Sequence, residues 1–442
     1  MMLNKRKISV VGLGKLGLPL AVCFASRGIK TLGVDINEKV VESLNHGISP
    51  IVEPQLQEFI TKYRKNFRAT ADIQKAITET DITVILVATP SDPDGNFSNK
   101  YVESALKSLA KSLKKSRKEY HLFVISSTVM PGSINKRLIP IIEKYSGRKL
   151  NVGFGVGHVP DFVALGSVIR DFLNPDLVII GESDKFAGDQ ISGVYGKLYE
   201  NEPAVTRMPL ASAEIAKVAL NAYITTKISF ANMLANICEK IPGADVDLIT
   251  KGIGADRRIS PYYFKGGLSF GGTCFPRDTK SFMRFAGEKK SDAGLIKEVE
   301  KINRFQDDHL ADLVLRNLPK NRRVSVLGLS FKPNTPVIIE SPAIKLIKFL
   351  LTKGVKVTAY DSLAKESVKE IFKDKIEYAD SLKECLSRSD LWVITLPSEE
   401  FKSADYKKIT KKPVVIIDCW RILKPNRLPK NVKHIKWGYY QK

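Results

Sequence analysis

Short apolar runs alternate with amphipathic stretches along this chain, and the runs fall into two groups separated by one long helical pattern. In the first group, residues 8–11, 31–34, 82–88, 122–126, 152–157 and 177–181 are mostly apolar. Such runs, bounded by turn residues, predict strands covered on both faces. Segments 102–113 and 134–145 between them carry helical periodicity. The second group begins at Arg322, where 324–329, 355–360, 391–396 and 414–417 predict parallel strands, with helices over 343–351 and 364–372. Alternating strands and helices predict open sheets with helices on both faces.

Between the groups, residues 212–240 contain neither Pro nor Gly and are closed by Pro242-Gly243. A helix of that length is about 43 Å long at 1.5 Å per residue. Ile215, Ala219, Ala222, Ile228, Leu234, Ile237 and Ile241 give it an apolar surface suited to a spine between domains, with one side open to a second subunit. The expected fold class is α/β, two Rossmann-like doubly wound domains joined by a long central helix and a small helical domain. The expected boundaries are 1–207, 208–317 and 318–442.

Composition changes this picture little. A chain of 442 residues exceeds one compact core, and 43% hydrophobic with 26% charged residues is an ordinary folded composition. No apolar run is long enough to span a bilayer, and Met1 to Lys7 leads directly into a strand, so neither a signal peptide nor a membrane helix is expected. Five cysteines (Cys23, Cys238, Cys274, Cys385, Cys419) are scattered without Cys-x-x-Cys or Cys/His pairing, which predicts a reducing cytoplasm and no metal site. Charge matters more: 70 Lys and Arg against 47 Asp and Glu leave +23. A positive field draws in an anionic substrate and cofactor. The basic residues are spread over 62–65, 111–118 and 402–412 and are not gathered in one recognition element, so no nucleic-acid partner is expected and most read as solvated surface.

Candidate chemistry begins after the first strand, at Gly12-Leu13-Gly14-Lys15-Leu16-Gly17. In a strand–turn–helix context the first glycine makes the turn, the second admits a pyrophosphate and the third lets helix and strand pack closely. Asp35 closes the second strand, 18 residues past Gly17. An acid there accepts from a ribose 2′-hydroxyl and repels a 2′-phosphate, which favours NAD over NADP. Thr89 and Thr128 stand at the carboxyl ends of later strands, the edge where ligands sit in open α/β sheets, although hydroxyl residues are also common as turn caps. The second half has one glycine, Gly328, where the first has three, and is expected to bind something other than a second NAD.

A second constellation is Gly271-Gly272-Thr273-Cys274-Phe275-Pro276-Arg277-Asp278. Glycines let backbone approach a ligand closely, and a nearby cation favours the reactive thiolate. Most free cysteines are small buried hydrophobes, so this motif gains weight only beside the dinucleotide fingerprint. Lys217 and Asn221, four apart on the long helix, project from one face.

Together these residues resemble the UDP-glucose/GDP-mannose dehydrogenase family over nearly the whole chain. The resemblance is carried by 12–21, Thr89-Pro90 with Asp94-Gly95, Ser127-Thr128 before Pro131-Gly132, and Pro160-Asp161-Phe162. It continues through Asn174-Pro175-Asp176, Lys217 and Asn221 before 227–230, 271–278, and 328–335 before Glu340-Ser341-Pro342.

The resemblance implies a four-electron, NAD-dependent oxidation of a nucleotide-sugar C6 alcohol to a carboxylate. A base would take the hydroxyl proton, and Lys217, Asn221 and Asp278 would hold and deprotonate a water or stabilise the developing oxyanion. Cys274 would carry a thiohemiacetal and then a thioester, hydrolysed by water near Asp161 and Thr128. Cofactor contacts are expected from Gly12, Leu13, Gly14, Lys15, Leu16, Gly17, Asp35, Lys39, Thr89, Pro90, Thr128 and Arg277. Phe162, Lys217, Asn221, Tyr263, Phe270, Gly271, Lys332 and Arg421 are expected around the sugar nucleotide, and Arg258 is expected to reach it across a homodimer interface.

This chain departs from the family pattern at Asp161, usually Glu; at Leu165, often an acid; at Arg277, usually Lys; and at Pro336-Val337-Ile338-Ile339, commonly Asp-Asp-x-Arg. Arginine replaces a lysine's charge but not its proton chemistry. UDP-glucose is the favoured substrate, since Pro160-Asp161-Phe162 and Phe275 look closer to that branch. An N-acetylhexosamine nucleotide is the alternative. A basic, NAD-sensing protein without turnover would share the fold, but the joint presence of Cys274, Lys217, Asn221 and Asp278 argues against it.

Overall fold

The computed structural model describes residues 6–92, 97–409 and 412–441, so Asp94, Gly95, Met1 and part of the basic stretch 402–412 lie outside the described residues. The chain divides into two compact units, Met1–Ala219 and Leu220–Lys442.

The first unit is built on β1 (Ile8–Val11), β2 (Thr31–Val34), β3 (Phe67–Thr70), β4 (Ile82–Ile85), β5 (His121–Ile125), β6 (Phe154–His158), β7 (Leu177–Glu182) and β8 (Ala204–Pro209). Their order in the sheet is β3-β2-β1-β4-β5-β6-β7-β8. Strands β1 to β6 pair in parallel, β7 runs antiparallel to β6, and β8 is parallel to β7. Side chains alternate between two cores. Ile8, Val10, Ile82, Val84, Leu122 and Val124 pack on the face covered by helix Gly17–Ser26. Val11, Ile85, Phe123 and Ile125 pack on the opposite face with helix Lys100–Lys115. The 2-residue period of a strand makes both faces apolar, which is why these segments read as unbroken apolar runs. The sheet order reverses between β1 and β4, so the crevice beyond their carboxyl ends is the expected ligand edge.

Helix Leu210–Cys238 has 29 residues; it opens in the first unit and continues into the second. The second unit adds helices Val246–Gly254, Phe275–Glu288 and Gly294–Arg316 before its own sheet. That sheet contains β9 (Arg323–Leu327), β10 (Lys356–Tyr360), β11 (Glu377–Tyr378), β12 (Leu391–Ile394), β13 (Val414–Asp418) and β14 (Val432–Lys436). Its order is β11-β10-β9-β12-β13-β14, parallel throughout. Here too alternate residues serve two cores: Val324, Val326, Leu391 and Val393 on one face, Leu327, Trp392 and Ile394 on the other. Two doubly wound sheets and a long helix are the architecture. No helix among the described residues is long and apolar enough to cross a membrane.

Candidate active site

Gly12 follows β1 at φ +96°, and a Cβ there would lie 2.5 Å from the Leu86 carbonyl oxygen. A Cβ on Gly17 would lie 1.9 Å from the Gly12 oxygen, so the helix can start this close to the strand only as glycine. Gly14 differs: nothing stands within 4 Å of its Cβ direction, and it is exposed beside exposed Lys15 and half-buried Leu16. That opening is the space a pyrophosphate needs at a helix N-terminus.

Asp35 anchors the other side. Its Oδ2 accepts from the Leu13 N–H at 2.7 Å and its Oδ1 from the Asn37 N–H at 2.9 Å. A carboxylate has about four acceptor positions, and the half-buried Asp35 keeps capacity for ribose hydroxyls. The second sheet repeats the arrangement with the opposite result. Asp361 Oδ2 accepts from the main chain of Leu329 at 2.7 Å and from both N–H and Oγ of Ser330, while its Oδ1 accepts from Leu363 and Ala364 at 2.9 Å. Buried and saturated, Asp361 has nothing left for a ribose, and the residues that fit NAD are those of the first sheet. Thr89 is buried and Pro90 exposed after β4, Thr128 is half-buried after β5, and Lys39 is exposed in the first turn of helix Glu38–Asn45.

Lys217 leaves the long helix buried, donating to the Asp161 main-chain oxygen and lying 4.8 Å over the Phe162 ring. Burial pushes the Asp161 carboxyl up to about 7 against the opposing pull of the Lys217 charge. Its Oδ2 is buried with no hydrogen-bond partner. Neighbouring His158 is fully buried, which pushes its imidazole down to about 4 and keeps it neutral. The structure thus brings Lys217, Asp161 and Phe162 together.

In the second unit Cys274 stands at the N-terminus of helix Phe275–Glu288, with Pro276 in its first turn. Among the five cysteines it alone is exposed; the other four are buried. Asp278 is fully buried one turn on, donating its N–H to the Cys274 carbonyl at 2.7 Å. Its Oδ1 accepts from Arg277 Nε at 3.0 Å and its Oδ2 from Asn221 Nδ2 at 2.6 Å. Phe275 contacts Tyr263 and Phe270 edge-on, at 5.9 and 6.4 Å between ring centroids, so an aromatic wall adjoins the thiol.

Two arginines of the expected set have carboxylate partners within the chain. Arg421 grips Asp247 through Nε and Nη2 at 2.8 and 2.9 Å and also donates to Gly266 and Trp437 carbonyls. Its side chain is 3% exposed. Exposed Arg258 pairs with its neighbour Asp256 at 2.6 Å. Lys332 lies 5.8 Å over the Phe331 ring.

Sequence reasoning missed three buried helical residues that hold the surrounding loops. Glu214 accepts from the main-chain N–H groups of Gly132 and Ile134 at 2.7 and 2.9 Å, tying down the turn that follows Thr128. Its burial pushes the carboxyl up to about 7 against those hydrogen bonds. Asn232 accepts from the Gly267 N–H at 2.7 Å, and Asn303 exchanges hydrogen bonds with the Phe270 main chain at 2.7 and 3.2 Å. Both asparagines act as surrogate strand partners for the segment leading to Cys274.

The glycine turn and Asp35 together make this sheet edge one suited to a dinucleotide. Comparison with known proteins gives the family. The UDP-glucose/GDP-mannose dehydrogenase family models match in chain order: the NAD binding domain over residues 6–199, the central domain over 211–305 and the UDP binding domain over 325–425. UDP-glucose 6-dehydrogenase AglM of Haloferax volcanii is 35% identical over 421 residues, covering 94% of this chain and 97% of that protein. A GDP-mannose 6-dehydrogenase of Pseudomonas syringae pv. tomato is 33% identical over 423 residues, 92% of this chain and 95% of its own length. Among solved structures, a UDP-glucose dehydrogenase of Pyrobaculum islandicum superposes with TM-score 0.89 at 30% identity, covering 99% of this chain and 98% of that one. The chain belongs to the UDP-glucose/GDP-mannose dehydrogenase family, the NAD-dependent nucleotide-sugar 6-dehydrogenases.

Proposed function

We propose that this enzyme oxidises UDP-glucose to UDP-glucuronate in two successive hydride transfers, with Cys274 as the covalent catalyst. NAD, when bound, accepts one hydride in each oxidation. The single observation that carries the reading is the exposed Cys274 at a helix N-terminus, followed by buried Asp278 joined to Asn221 and Arg277.

In the first step the C6 hydroxyl loses its proton to Lys217 or to a water held by Lys217, Asn221 and Asp278, while hydride leaves C6. Cys274 then loses its S–H proton to solvent as the sulfur bonds to the aldehyde carbon, and the former carbonyl oxygen, now an oxyanion, is stabilised by the donors of Asn221 and Lys217. Loss of the second hydride turns this thiohemiacetal into a thioester. Water, deprotonated by Asp161 with Thr128 as its hydrogen-bonding neighbour, adds to the thioester, the C–S bond breaks, and the thiol is restored. An acid with its pKa raised to about 7 by burial suits that base role near neutral pH. Retention of covalent attachment keeps the reactive aldehyde from escaping.

Lys332 takes the nucleotide phosphates, with Tyr263, Phe270, Gly271 and Phe162 around the hexose. Arg421, held by Asp247, is a further sugar-nucleotide contact in this reading, and Arg258 completes the site of a second subunit. Tyr223, Phe230 and Ile237, exposed at 62%, 46% and 46% on the long helix, support a homodimer. The parts 1–207, 208–317 and 318–442 act as cofactor, dimerisation and nucleotide-sugar domains, and five unpaired thiols fit a cytoplasmic setting. A panel of UDP-glucose, GDP-mannose and UDP-N-acetylhexosamines tests the substrate. UDP-glucose should give the highest kcat/KM with two NADH per sugar; a higher value for another sugar overturns the choice.

A further inference from the structure

The Gly271-Gly272 pair ahead of Cys274 is enclosed by one loop of the second sheet. A Cβ on Gly271 would lie 2.3 Å from the Glu340 carbonyl oxygen. Gly272, at φ +85°, has the Phe331 ring against it, 2.5 Å from where a Cβ would stand, and donates its N–H to the Ile339 oxygen at 2.9 Å. Only glycine accommodates both the backbone angle and this approach. The loop is itself closed by the Phe331 N–H on the Val337 oxygen at 3.0 Å.

Two further features show that the enclosing loop is held in place by construction. Glu340 has a left-handed backbone, φ +53°, a conformation that a non-glycine residue keeps only where its surroundings impose it. Its carboxylate meets Lys345 at 2.9 Å, and Lys345 meets Asp307 at 3.0 Å. Asp307 in turn accepts from the Ser269 hydroxyl, at the start of the same cysteine segment. The far end of the loop bears the phosphate-binding candidate: Lys332 Nζ lies over the Phe331 ring whose other contacts include Gly272.

We propose that loop 330–341 is the template of the cysteine turn, so that a nucleoside diphosphate bound at Lys332 sets the placement and reactivity of Cys274. Phe331 and Lys345 are positioning residues in this scheme. It rests on the reading that Lys332 takes the phosphates. A ligand that draws the ammonium off the ring changes how the ring bears on Gly272, two residues before the thiol. The nucleotide half of the substrate thereby prepares the thiol that its sugar half will meet.

Cys274 is the one exposed cysteine, so iodoacetamide alkylation of the folded enzyme reads its reactivity alone. The rate is measured with and without saturating UDP or, separately, GDP, probes that lack the hexose. Calorimetry gives their affinity in wild type, Phe331→Leu and Lys345→Met. The expected result is a change of about threefold or more on nucleotide binding in wild type, reduced to less than about 1.5-fold in both variants while they still bind nucleotide. Lys345→Met covers the case in which Phe331→Leu does not fold. An equal change in wild type and variants means simple shielding and overturns the proposal. So does binding with no change in wild type, which leaves the nucleotide site itself standing. Failure of both nucleotides to bind removes the nucleotide-site reading and this proposal together.

Discussion

Asn221 donates to Asp278 at 2.6 Å, joining the long helix to the helix that begins at Cys274. Because Asp278 is fully buried and its other oxygen is held by Arg277, the carboxylate is fixed from two sides. Asp278→Asn leaves the Arg277 and Asn221 donors to share one acceptor and removes the charge opposite Arg277. Breaking a buried charged pair costs about 3 kcal/mol, and losing a preorganised catalytic contact costs about 10²-fold in kcat. Thermal unfolding and steady-state kinetics of the variant check both, and near wild-type values in each would remove Asp278 from the site.

Asp35 is the proposed determinant of cofactor choice. A hydrogen bond to a charged group contributes about 1.5–3 kcal/mol, so Asp35→Ala should lower the preference for NAD over NADP by about 10- to 100-fold. The comparison is kcat/KM for both cofactors in wild type and variant. An unchanged ratio contradicts the role.

The proposed base role of Asp161 predicts a pH dependence. Its folded-state carboxyl is pushed up to about 7 by burial, so it is protonated below that pH and ionised above it. If the ionised form activates water, acid formation should fall about tenfold per pH unit below 7. Glu214 is also pushed up to about 7 by burial. The two are separated by variants: Asp161→Asn should be slow and flat across this range, whereas Glu214→Gln should retain the limb. A limb that survives in Asp161→Asn assigns it elsewhere. Stability moves in the same window with a definite sign. Each acid is raised above its unfolded value, so the folded state binds more protons between about pH 4 and 7, and both contributions weaken the fold as pH rises through that range.

Assembly is tested at Arg258 and on the long helix. Arg258 is exposed and paired only locally, so Arg258→Ala should leave the melting temperature unchanged while raising KM for the sugar nucleotide. Tyr223→Glu with Phe230→Glu should convert a dimer to monomers by sedimentation equilibrium, with loss of activity. A fully active wild-type monomer contradicts the shared site.

The interior strands were legible because both faces are buried and the runs are apolar. Four strands escaped, β3, β8, β11 and β14, and they are the outer strands of the two sheets. Phe67-Arg68-Ala69-Thr70 and Val432-Lys433-His434-Ile435-Lys436 put charge into the pattern, as edge strands do to discourage further pairing. The reversed direction of β7 has no local signal at all. At the candidate site, glycine turns and the cysteine motif were legible because their conformations demand particular residues in sequence. Glu214, Asn232 and Asn303 were not, since their partners are main-chain groups 33 to 82 residues away. The pairing of Arg421 with Asp247 spans 174 residues and is equally invisible in a linear reading.

Covalent catalysis by Cys274 is tested most directly by counting products. With UDP-glucose and excess NAD, wild type should release two NADH per sugar with little free aldehyde. Cys274→Ala should nearly abolish uronic acid formation while retaining NAD binding, because no thiohemiacetal can form. Mass spectrometry of the intact protein during turnover should find substrate attached to the wild type and not to the variant. Uronic acid formation by Cys274→Ala at near wild-type rate would show that the thiol is structural and contradict the mechanism.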